Sequence, residues 1–253
     1  MKNLFITTAL FFSLSFLSFG KDNSFNDIQK NGDIIIGLDD TFAPMGFRDE
    51  KGKIVGFDID LSTEVSKRMG LNPVFKACDW DGIVFDLKSK KIDLIWNGLT
   101  ITQERSKQIA FSNPYFSDDQ IIIIKDTALL NLDDLKNKKI GVQMGSTSYF
   151  ALKNSELFKT NISIRKYSTN IEALLDLDAG RTDAVVVDSV VGKYYLSKKD
   201  GFKIMSETLA KEDVGVGLRK EDIVLKEELN KALDSIVTDG TFDIIYKKWF
   251  GNN

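Results

Sequence analysis

Residues 95–116 read IWNGLTITQERSKQIAFSNPYF. An apolar strand end is followed by the polar turn Asn97-Gly98 and then by a helix, predicted over 103–109, that carries Arg105 in its first turn. Thr102 is a favourable N-cap for this helix because its hydroxyl can accept one of the unpaired N–H groups of the first turn. The stretch is therefore interpreted as one strand–turn–helix unit.

Arg105 stands where a helix prefers an acidic side chain. A basic residue in a first turn opposes the helix dipole at a cost of a few tenths of a kcal/mol, which suggests that the guanidinium serves another purpose. The turn amides, the hydroxyls of Thr100 and Thr102 and the guanidinium form a receptor for a carboxylate, to which Arg105 can donate two parallel hydrogen bonds. A capped helix with a solvated arginine explains the same residues, and both interpretations stay open here.

The composition restricts the classes of function. The chain has 253 residues, of which 43% are hydrophobic and 28% are charged, as is ordinary for a soluble globular protein of one large or two modest domains. The net charge of −3 argues against a nucleic-acid-binding protein. With no histidine and only Cys78, the sequence lacks the materials for a Ser-His-Asp triad, an internal disulfide or a cluster of thiolate ligands. No metal and no cofactor are expected.

The N-terminus is predicted to be a secretory signal. Lys2 precedes an apolar segment over 4–19, and small residues at Ser18 and Gly20 fit the positions that a signal peptidase reads. Cleavage is expected near Gly20, and residues 1–20 are assigned to the signal peptide. An uncleaved membrane anchor is the alternative.

Strands and helices alternate after the signal, and the apolar, non-alternating strands predict a mainly parallel sheet covered on both faces. Two units of roughly 90 residues predict two lobes. The chain is expected to pass between the lobes near 120–124 and again near 214–218. The predicted strands are 34–38, 73–76, 92–96, 121–124, 140–142, 162–167, 184–187 and 214–218, and the predicted helices are 58–69, 82–90, 146–154, 170–179, 190–196 and two within 225–249 broken at Asp239-Gly240.

Polar and aromatic residues follow five of these strands, at the edge where open parallel sheets bind ligands. They suit an amino-acid zwitterion. Its carboxylate requires Arg105 and N–H donors, its ammonium requires a buried carboxylate such as Asp188, and its apolar stem requires faces such as Phe42 and Trp80. Each has a simpler alternative, since Asp188 could cap a helix, the aromatic rings could belong to the core, and 146–147 could be a plain helix start.

Seven blocks, in order and over essentially the whole mature chain, resemble the periplasmic binding proteins for polar amino acids. These proteins are the solute receptors of ABC importers, and the chain is similar to their glutamine-, histidine- and lysine/arginine/ornithine-binding members. The blocks are GLDDTFAPMGF, VGFDIDL, DWDGI, IDLIWNGLTITQERSKQIAFSNPYF, GVQMGSTSY, AGRTDAVVVDS and GTFDIIYKKWFG.

The resemblance implies the type II periplasmic-binding-protein fold, in which two α/β lobes are joined by two hinge strands and close on the ligand. The first lobe would comprise residues 30–118 plus 217–253, and the second lobe residues 119–216. A monomer in the periplasm that binds a free polar L-amino acid and delivers it to a membrane permease is expected.

The resemblance also implies a ligand-binding site of eleven residues, Gln143 among them, and roles for the other ten. The α-carboxylate would be bound by Arg105 with help from one set of donors, and the α-ammonium by Asp188 with the carbonyl of Asn97. The ligand would lie between two aromatic rings and would direct its side chain towards Asp39. The helping donors are Gly98, Thr100, Ser146 and Thr147, and the rings are Phe42 and Trp80.

One residue departs from the glutamine-binding members, which have a lysine where this chain has Gln143. This departure, together with Asp39, Asp40 and Asp81 near the mouth of the cleft, favours a cationic or long polar side chain on the ligand.

Two other classes of protein stay open. Exported cyclohexadienyl or arogenate dehydratases resemble these binding proteins and need a proton donor in the cleft, where Asp39, Asp81 and Asp188 are the available acids. The intact amino-acid blocks favour binding over catalysis. A secreted sensor module, in which binding signals instead of feeding an importer, is the other class.

Overall fold

A computed structural model describes residues 24–125 and 128–251. The predicted signal peptide, residues 1–20, lies outside the described residues. Within those two ranges, no helix combines the length and the apolar character that crossing a membrane requires.

Strands and helices alternate along the described chain, as predicted. The helices are α1 (Ser24–Asn31), α2 (Phe57–Arg68), α3 (Ile83–Lys88), α4 (Gln103–Ser106), α5 (Thr147–Asn154), α6 (Asn170–Asp178), α7 (Ser189–Leu196), α8 (Ile223–Thr238) and α9 (Thr241–Phe250). The strands are β1 (Asp33–Leu38), β2 (Thr41–Phe42), β3 (Gly46–Arg48), β4 (Ile54–Val55), β5 (Asn72–Ala77), β6 (Leu94–Ile95), β7 (Ala110–Phe111), β8 (Phe116–Ile124), β9 (Lys139–Gln143), β10 (Ser163–Tyr167), β11 (Ala184–Asp188), β12 (Lys203–Val214) and β13 (Gly217–Leu218).

Two five-stranded sheets organise the molecule into two α/β lobes. The first sheet has the order β5-β1-β6-β13-β7, and the second has the order β10-β9-β11-β8-β12. In each sheet three neighbouring strands are parallel, whereas the other pairings are antiparallel. The prediction of a mainly parallel sheet therefore holds for only part of each sheet. We refer to the lobe built on the first sheet as the first lobe and to the other as the second lobe.

The antiparallel part contains β8 and β12, which pair with each other along most of their length. Beyond β12 the chain enters the first lobe, where the Gly215 amide donates to the Leu99 carbonyl at 3.0 Å. The second crossing strand thus begins at Lys203, well before the predicted 214–218. This part was missed because its sequence, KIMSETLAKEDV, is largely polar and its side chains are mostly exposed.

The run of four isoleucines in β8 is buried on both faces of its sheet. Ile121 and Ile123 pack into one hydrophobic cluster, and Ile122 and Ile124 pack into another. Successive side chains of a strand point to opposite faces, so an unbroken apolar run is what a doubly covered strand requires.

The C-terminal helices complete the first lobe by packing on α2. Phe57, at the start of α2, contacts the rings of Phe242, Tyr246 and Phe250 in α9. The predicted break between the last two helices is confirmed, since α8 ends at Thr238 and α9 begins at Thr241. The first lobe therefore combines the start of the chain with its end.

Candidate functional site

The turn after β6 is held from beneath by a buried carboxylate. Gly98 has a φ of 59° and its amide donates to Asp58 Oδ2 at 2.7 Å. A Cβ at Gly98 would lie 2.8 Å from the ring of Phe42, so this turn requires glycine both for its backbone and for its close packing. Burial raises the pKa of Asp58 to about 7, against the hydrogen bonds from Tyr115 at 2.8 Å and from Gly98. Asp58 thus connects the start of α2 to the site.

Arg105 projects from a helix that is shorter than predicted. Helix α4 ends at Ser106 instead of residue 109, and the Thr102 hydroxyl caps it by accepting from the Arg105 amide at 3.1 Å. The guanidinium donates from Nη1 to the Thr100 carbonyl at 2.9 Å and from Nη2 to the Gly145 carbonyl at 3.1 Å. Burial lowers the pKa of Arg105 to about 10, against the attraction of nearby Asp188 and Glu212, so the group stays cationic at neutral pH.

The second lobe contributes a buried acid at the end of β11. Asp188 occupies the N-cap position of α7, but its side chain makes no capping hydrogen bond. Its Oδ1 instead accepts from Gln120 Nε2 at 2.7 Å. Burial raises the pKa of Asp188 to about 8, and the neighbouring carboxylates of Asp118 and Glu212 raise it further in the same direction. With a pKa of about 8, this carboxyl group is mostly protonated at pH 7 when no ligand ammonium is bound.

A small cavity of about 10 Å³, room for roughly one water molecule, lies between the lobes, so the cleft must open before a larger ligand can enter. Arg105 and Asp188 both line it, so a cation and an acid from different lobes face one volume. All of its lining residues are among those predicted from the sequence: Phe42, Trp80, Gly98, Thr100, Arg105, Gln143, Ser146, Thr147 and Asp188.

The two aromatic rings of the cavity face each other. Phe42 and Trp80 are parallel within 3°, and their centroids are 6.4 Å apart. Stacking a flat group between the rings requires their planes to be about 7 Å apart, so the rings must move apart to admit a planar or extended side chain.

Asp39 and Asn97, the other two predicted residues, lie behind the cavity lining. The Asn97 carboxamide oxygen accepts from the Asp39 amide at 3.1 Å. The Asp39 carboxylate accepts from the Thr41 hydroxyl at 2.6 Å and from Gln143 Nε2 at 2.7 Å. Gln143 in turn accepts from Asn170 Nδ2 at 3.0 Å, so a polar network closes this end of the cavity across both lobes.

Two further residues at the site were missed from the sequence. Glu212 on β12 accepts hydrogen bonds from the hydroxyls of Thr147 at 2.7 Å and Thr100 at 2.9 Å. Gln120 on β8 donates to both Glu212 and Asp188, at 3.0 and 2.7 Å. The available signal in β8 was two polar residues at alternate positions, Asp118 and Gln120, which share a face of the strand next to the isoleucine run. No comparable pattern marks Glu212.

Metal binding finds no support at this acid cluster. Among residues 24–125 and 128–251, no group of three Cys, Asp or Glu side chains has an arrangement that could hold a metal ion. The arrangement is instead suited to an organic ion with charges of both signs.

The chain matches the family model of the bacterial extracellular solute-binding proteins, family 3, over residues 34–252. Two curated relatives come from Escherichia coli (strain K12). The L-cystine-binding protein TcyJ is 32% identical over 253 residues, covering 97% of this chain and 93% of that protein. The lysine/arginine/ornithine-binding periplasmic protein is 39% identical over 228 residues, covering 86% of this chain and 87% of that protein.

Two solved structures share the fold. An ancestral arginine-binding protein bound to arginine has a TM-score of 0.83 and 44% identity, covering 87% of this chain and 99% of that chain. The ancestral amino acid-binding protein AncCDT-1, a precursor of cyclohexadienyl dehydratase, has a TM-score of 0.83 and 36% identity, covering 90% of this chain and 99% of that chain. These matches confirm the predicted two-lobed fold and the prediction of a binding protein instead of an enzyme. The chain belongs to the bacterial extracellular solute-binding proteins of family 3.

Proposed function

We propose that this protein binds a free polar L-amino acid between its two lobes. The observation that carries the proposal is that Arg105 and Asp188 line one cavity from different lobes. A guanidinium binds a carboxylate through two parallel hydrogen bonds, and a buried carboxylate binds an ammonium group. An α-amino acid presents these two charges a short distance apart, and neither lobe alone satisfies both.

In this proposal Arg105 binds the α-carboxylate together with the start of α5 at 146–147, whereas the Gly98 amide, which was expected to help, donates to Asp58 instead. Asp188 binds the α-ammonium, with the carbonyl of Asn97 as a second proposed acceptor. Phe42 and Trp80 hold the stem of the ligand between their faces. The proposed lobes are residues 30–118 plus 217–253 and residues 119–216.

A cationic side chain on the ligand is favoured by the end of the cavity that Asp39 closes. The Asp39 carboxylate is 5% exposed, and the contacts described above pair it with neutral donors, Thr41 and Gln143. A buried carboxylate with neutral partners retains a strong attraction for a cation. The arginine- and lysine/arginine/ornithine-binding relatives agree with this preference, whereas the cystine-binding relative favours a long polar side chain.

Closure links binding to transport in the proposed mechanism. The contacts from Arg105 to Gly145 and from Asp39 to Gln143 join the lobes, so they form only when the cleft is shut. A ligand that binds the closed state more tightly shifts the population towards it. A membrane permease of an ABC importer would then receive the closed, monomeric protein in the periplasm, after signal cleavage near Gly20.

A panel of ligands tests the proposal. Thermal unfolding is measured with each of the twenty amino acids, ornithine and cystine, because a ligand that binds only the folded state raises the melting temperature. We expect basic or long polar L-amino acids to raise it and their D-enantiomers to have little effect. The proposal would be contradicted if none of them raised the melting temperature and calorimetry also detected no binding.

The dehydratase alternative, against which the binding-protein relatives argue, can be tested directly. The raised pKa of Asp188 leaves a neutral acid in the cleft at pH 7, and such an acid could donate a proton. Incubation with prephenate or arogenate, followed by detection of the aromatic product, separates the two activities. A sensor module is distinguished by deleting the gene for this protein and measuring cellular uptake of the bound amino acid, which would then be unchanged.

A further inference from the structure

Glu212 occupies the centre of the site, although it comes from the crossing strand β12. Its Oε2 accepts from Thr147 Oγ1 at 2.7 Å, from Thr100 Oγ1 at 2.9 Å and from Gln120 Nε2 at 3.0 Å. Thr100 belongs to the first lobe and Thr147 to the second. One carboxylate oxygen therefore joins both lobes to the crossing strand.

These contacts decide what the two hydroxyl groups can offer to a ligand. A threonine hydroxyl has one proton and two lone pairs. A carboxylate has no proton to donate, so the short contacts to Glu212 fix the protons of both Thr100 and Thr147 on its oxygen. Thr147 Oγ1 also accepts from Gln120 Nε2 at 3.3 Å and lies 3.2 Å from Thr100 Oγ1, so Thr147 keeps one lone pair and Thr100 keeps both. Both residues line the cavity, and with their protons on Glu212 their hydroxyl groups can accept hydrogen bonds from a ligand but cannot donate to one.

Gln120 likewise leaves the neighbouring acid, Asp188, as a hydrogen-bond acceptor. Its side chain is fully buried, and its Oε1 accepts from the Ser148 hydroxyl at 2.6 Å. Its amide nitrogen is thereby directed at Asp188 at 2.7 Å and at Glu212 at 3.0 Å. The two acids are held side by side by one neutral amide, which brings no positive charge to either of them.

We propose that Glu212 is a positioning residue for the α-ammonium of the ligand. It turns Thr100 and Thr147 into hydrogen-bond acceptors and adds a second negative charge beside Asp188. The inference rests on the proposed function and deepens it, because it moves both hydroxyls from the carboxylate end of the ligand to the ammonium end. The carboxylate is left to Arg105 and to backbone N–H groups.

The position of Glu212 also makes recognition of the ammonium depend on closure. Opening the cleft separates Thr100 from Thr147, so a single carboxylate oxygen can no longer bind both. The two hydroxyl acceptors are therefore held together only in the closed state. A ligand without an ammonium group gains less from them and shifts the population less towards that state.

The test compares amino acids with analogues that lack the α-amino group, by calorimetry. The pairs are L-arginine with 5-guanidinopentanoate, L-lysine with 6-aminohexanoate, and L-glutamine with glutaramate. In Glu212→Gln, whose side chain has nearly the same shape without the charge, we expect the affinity for the amino acid to fall by about tenfold or more. The affinity for its analogue should stay within about twofold or rise, so the wild-type preference for the amino acid collapses.

Two variants accompany the test. Asp213→Asn removes a carboxylate from the adjacent, exposed residue, which accepts from Ser117, and should leave the preference unchanged. Glu212→Asp keeps the charge and should restore part of the preference. The ratio of two affinities does not depend on the folded fraction, so a destabilised Glu212→Gln still gives an answer.

Each outcome has one meaning. Equal losses for the amino acid and its analogue, or no loss for either, would overturn the inference and leave Glu212 as a structural brace of the crossing strands. Failure of all three amino acids to bind the wild-type protein would overturn the proposed function for these ligands and this inference with it.

Discussion

At the scale of single residues, Arg105 is proposed to recognise the ligand carboxylate. In Arg105→Ala we expect the affinity for the amino acid to fall by about a hundredfold or more, since truncating one partner of a buried charge pair costs about 2–5 kcal/mol. Arg105→Lys keeps the charge but loses the two-pronged geometry, so an intermediate loss is expected. Titration calorimetry measures both, and Lys107→Ala, an exposed residue two positions later, is the control. A near-native affinity in Arg105→Ala would remove this residue from the site.

Asp188 predicts how binding depends on pH. Its pKa is raised to about 8 by burial and by Asp118 and Glu212, whereas pairing with an ammonium requires the ionised form. Binding should therefore displace a proton, and affinity should rise between pH 6 and 8 by up to about tenfold per unit. The rise ends above the raised pKa, where the carboxyl group is already ionised in the free protein.

Calorimetry in buffers of different ionisation enthalpy measures this proton directly. We expect release of nearly one proton per ligand at pH 7, and Asp188→Asn should abolish both the release and most of the affinity. A flat affinity between pH 6 and 8 without proton release would contradict the assignment of Asp188 to the ammonium.

At the scale of elements, the shortness of α4 makes its cap important. Helix α4 has only four residues, and the Thr102 hydroxyl caps it through the amide of Arg105 itself. Replacing an N-cap threonine by alanine costs about 1 kcal/mol, and here the frayed turn would also misdirect the guanidinium. Thr102→Ala should therefore be less stable than the wild-type protein and should bind the ligand several-fold more weakly. Thr102→Ser should retain both the stability and the affinity.

Thr169 provides the matched control for this prediction. It caps α6 in the same way, by accepting from the Glu172 amide at 3.1 Å, but Glu172 does not line the cavity, whereas Arg105 does. Thr169→Ala should lose similar stability in urea denaturation with unchanged affinity. If both variants lost affinity equally, the effect would reflect general stability and not the orientation of the Arg105 guanidinium.

At the scale of the whole molecule, much of the site followed from where strands end. The apolar runs of β1, β9 and β11 were predicted from their residues, and the rule that ligands bind beyond the carboxyl ends of parallel strands brought Arg105 and Asp188 into one volume. These features depend on local patterns, which a sequence displays directly.

Glu212 and Gln120 were not predicted because their proximity depends on the pairing of two distant strands and not on a local sequence pattern. The pairing of β8 with β12 sets Ala210 opposite Gln120 and Glu212 opposite Asp118, and register shifts earlier in the pairing alter which residues meet. Register between strands distant in sequence is a property of the assembled sheet. The length of β12 was missed for the same reason, since pairing and not apolar periodicity defines it.

Closure of the two lobes gives a prediction for the molecule as a whole. Gly145 in the second lobe has a φ of 71°, and a Cβ there would lie 2.9 Å from the Cα of Asp81 in the first lobe. Gly145→Ala should therefore obstruct closure, because overpacking of this kind costs typically about 1–3 kcal/mol. Affinity should fall by about 5- to 150-fold, and small-angle scattering with saturating ligand should show a larger radius of gyration than the wild-type protein has.

Gly180→Ala separates this effect from backbone strain. Gly180 is also in the second lobe with a φ of 70°, but its added methyl group would meet nothing within 4 Å. Both variants pay the cost of a left-handed alanine, about 1–2 kcal/mol, in stability without ligand. Only Gly145→Ala should bind weakly and stay open, because only there does the new methyl group stand between the lobes. Full compaction of Gly145→Ala on ligand would mean that the bound state is less tightly shut than the contact between Gly145 and Asp81 requires.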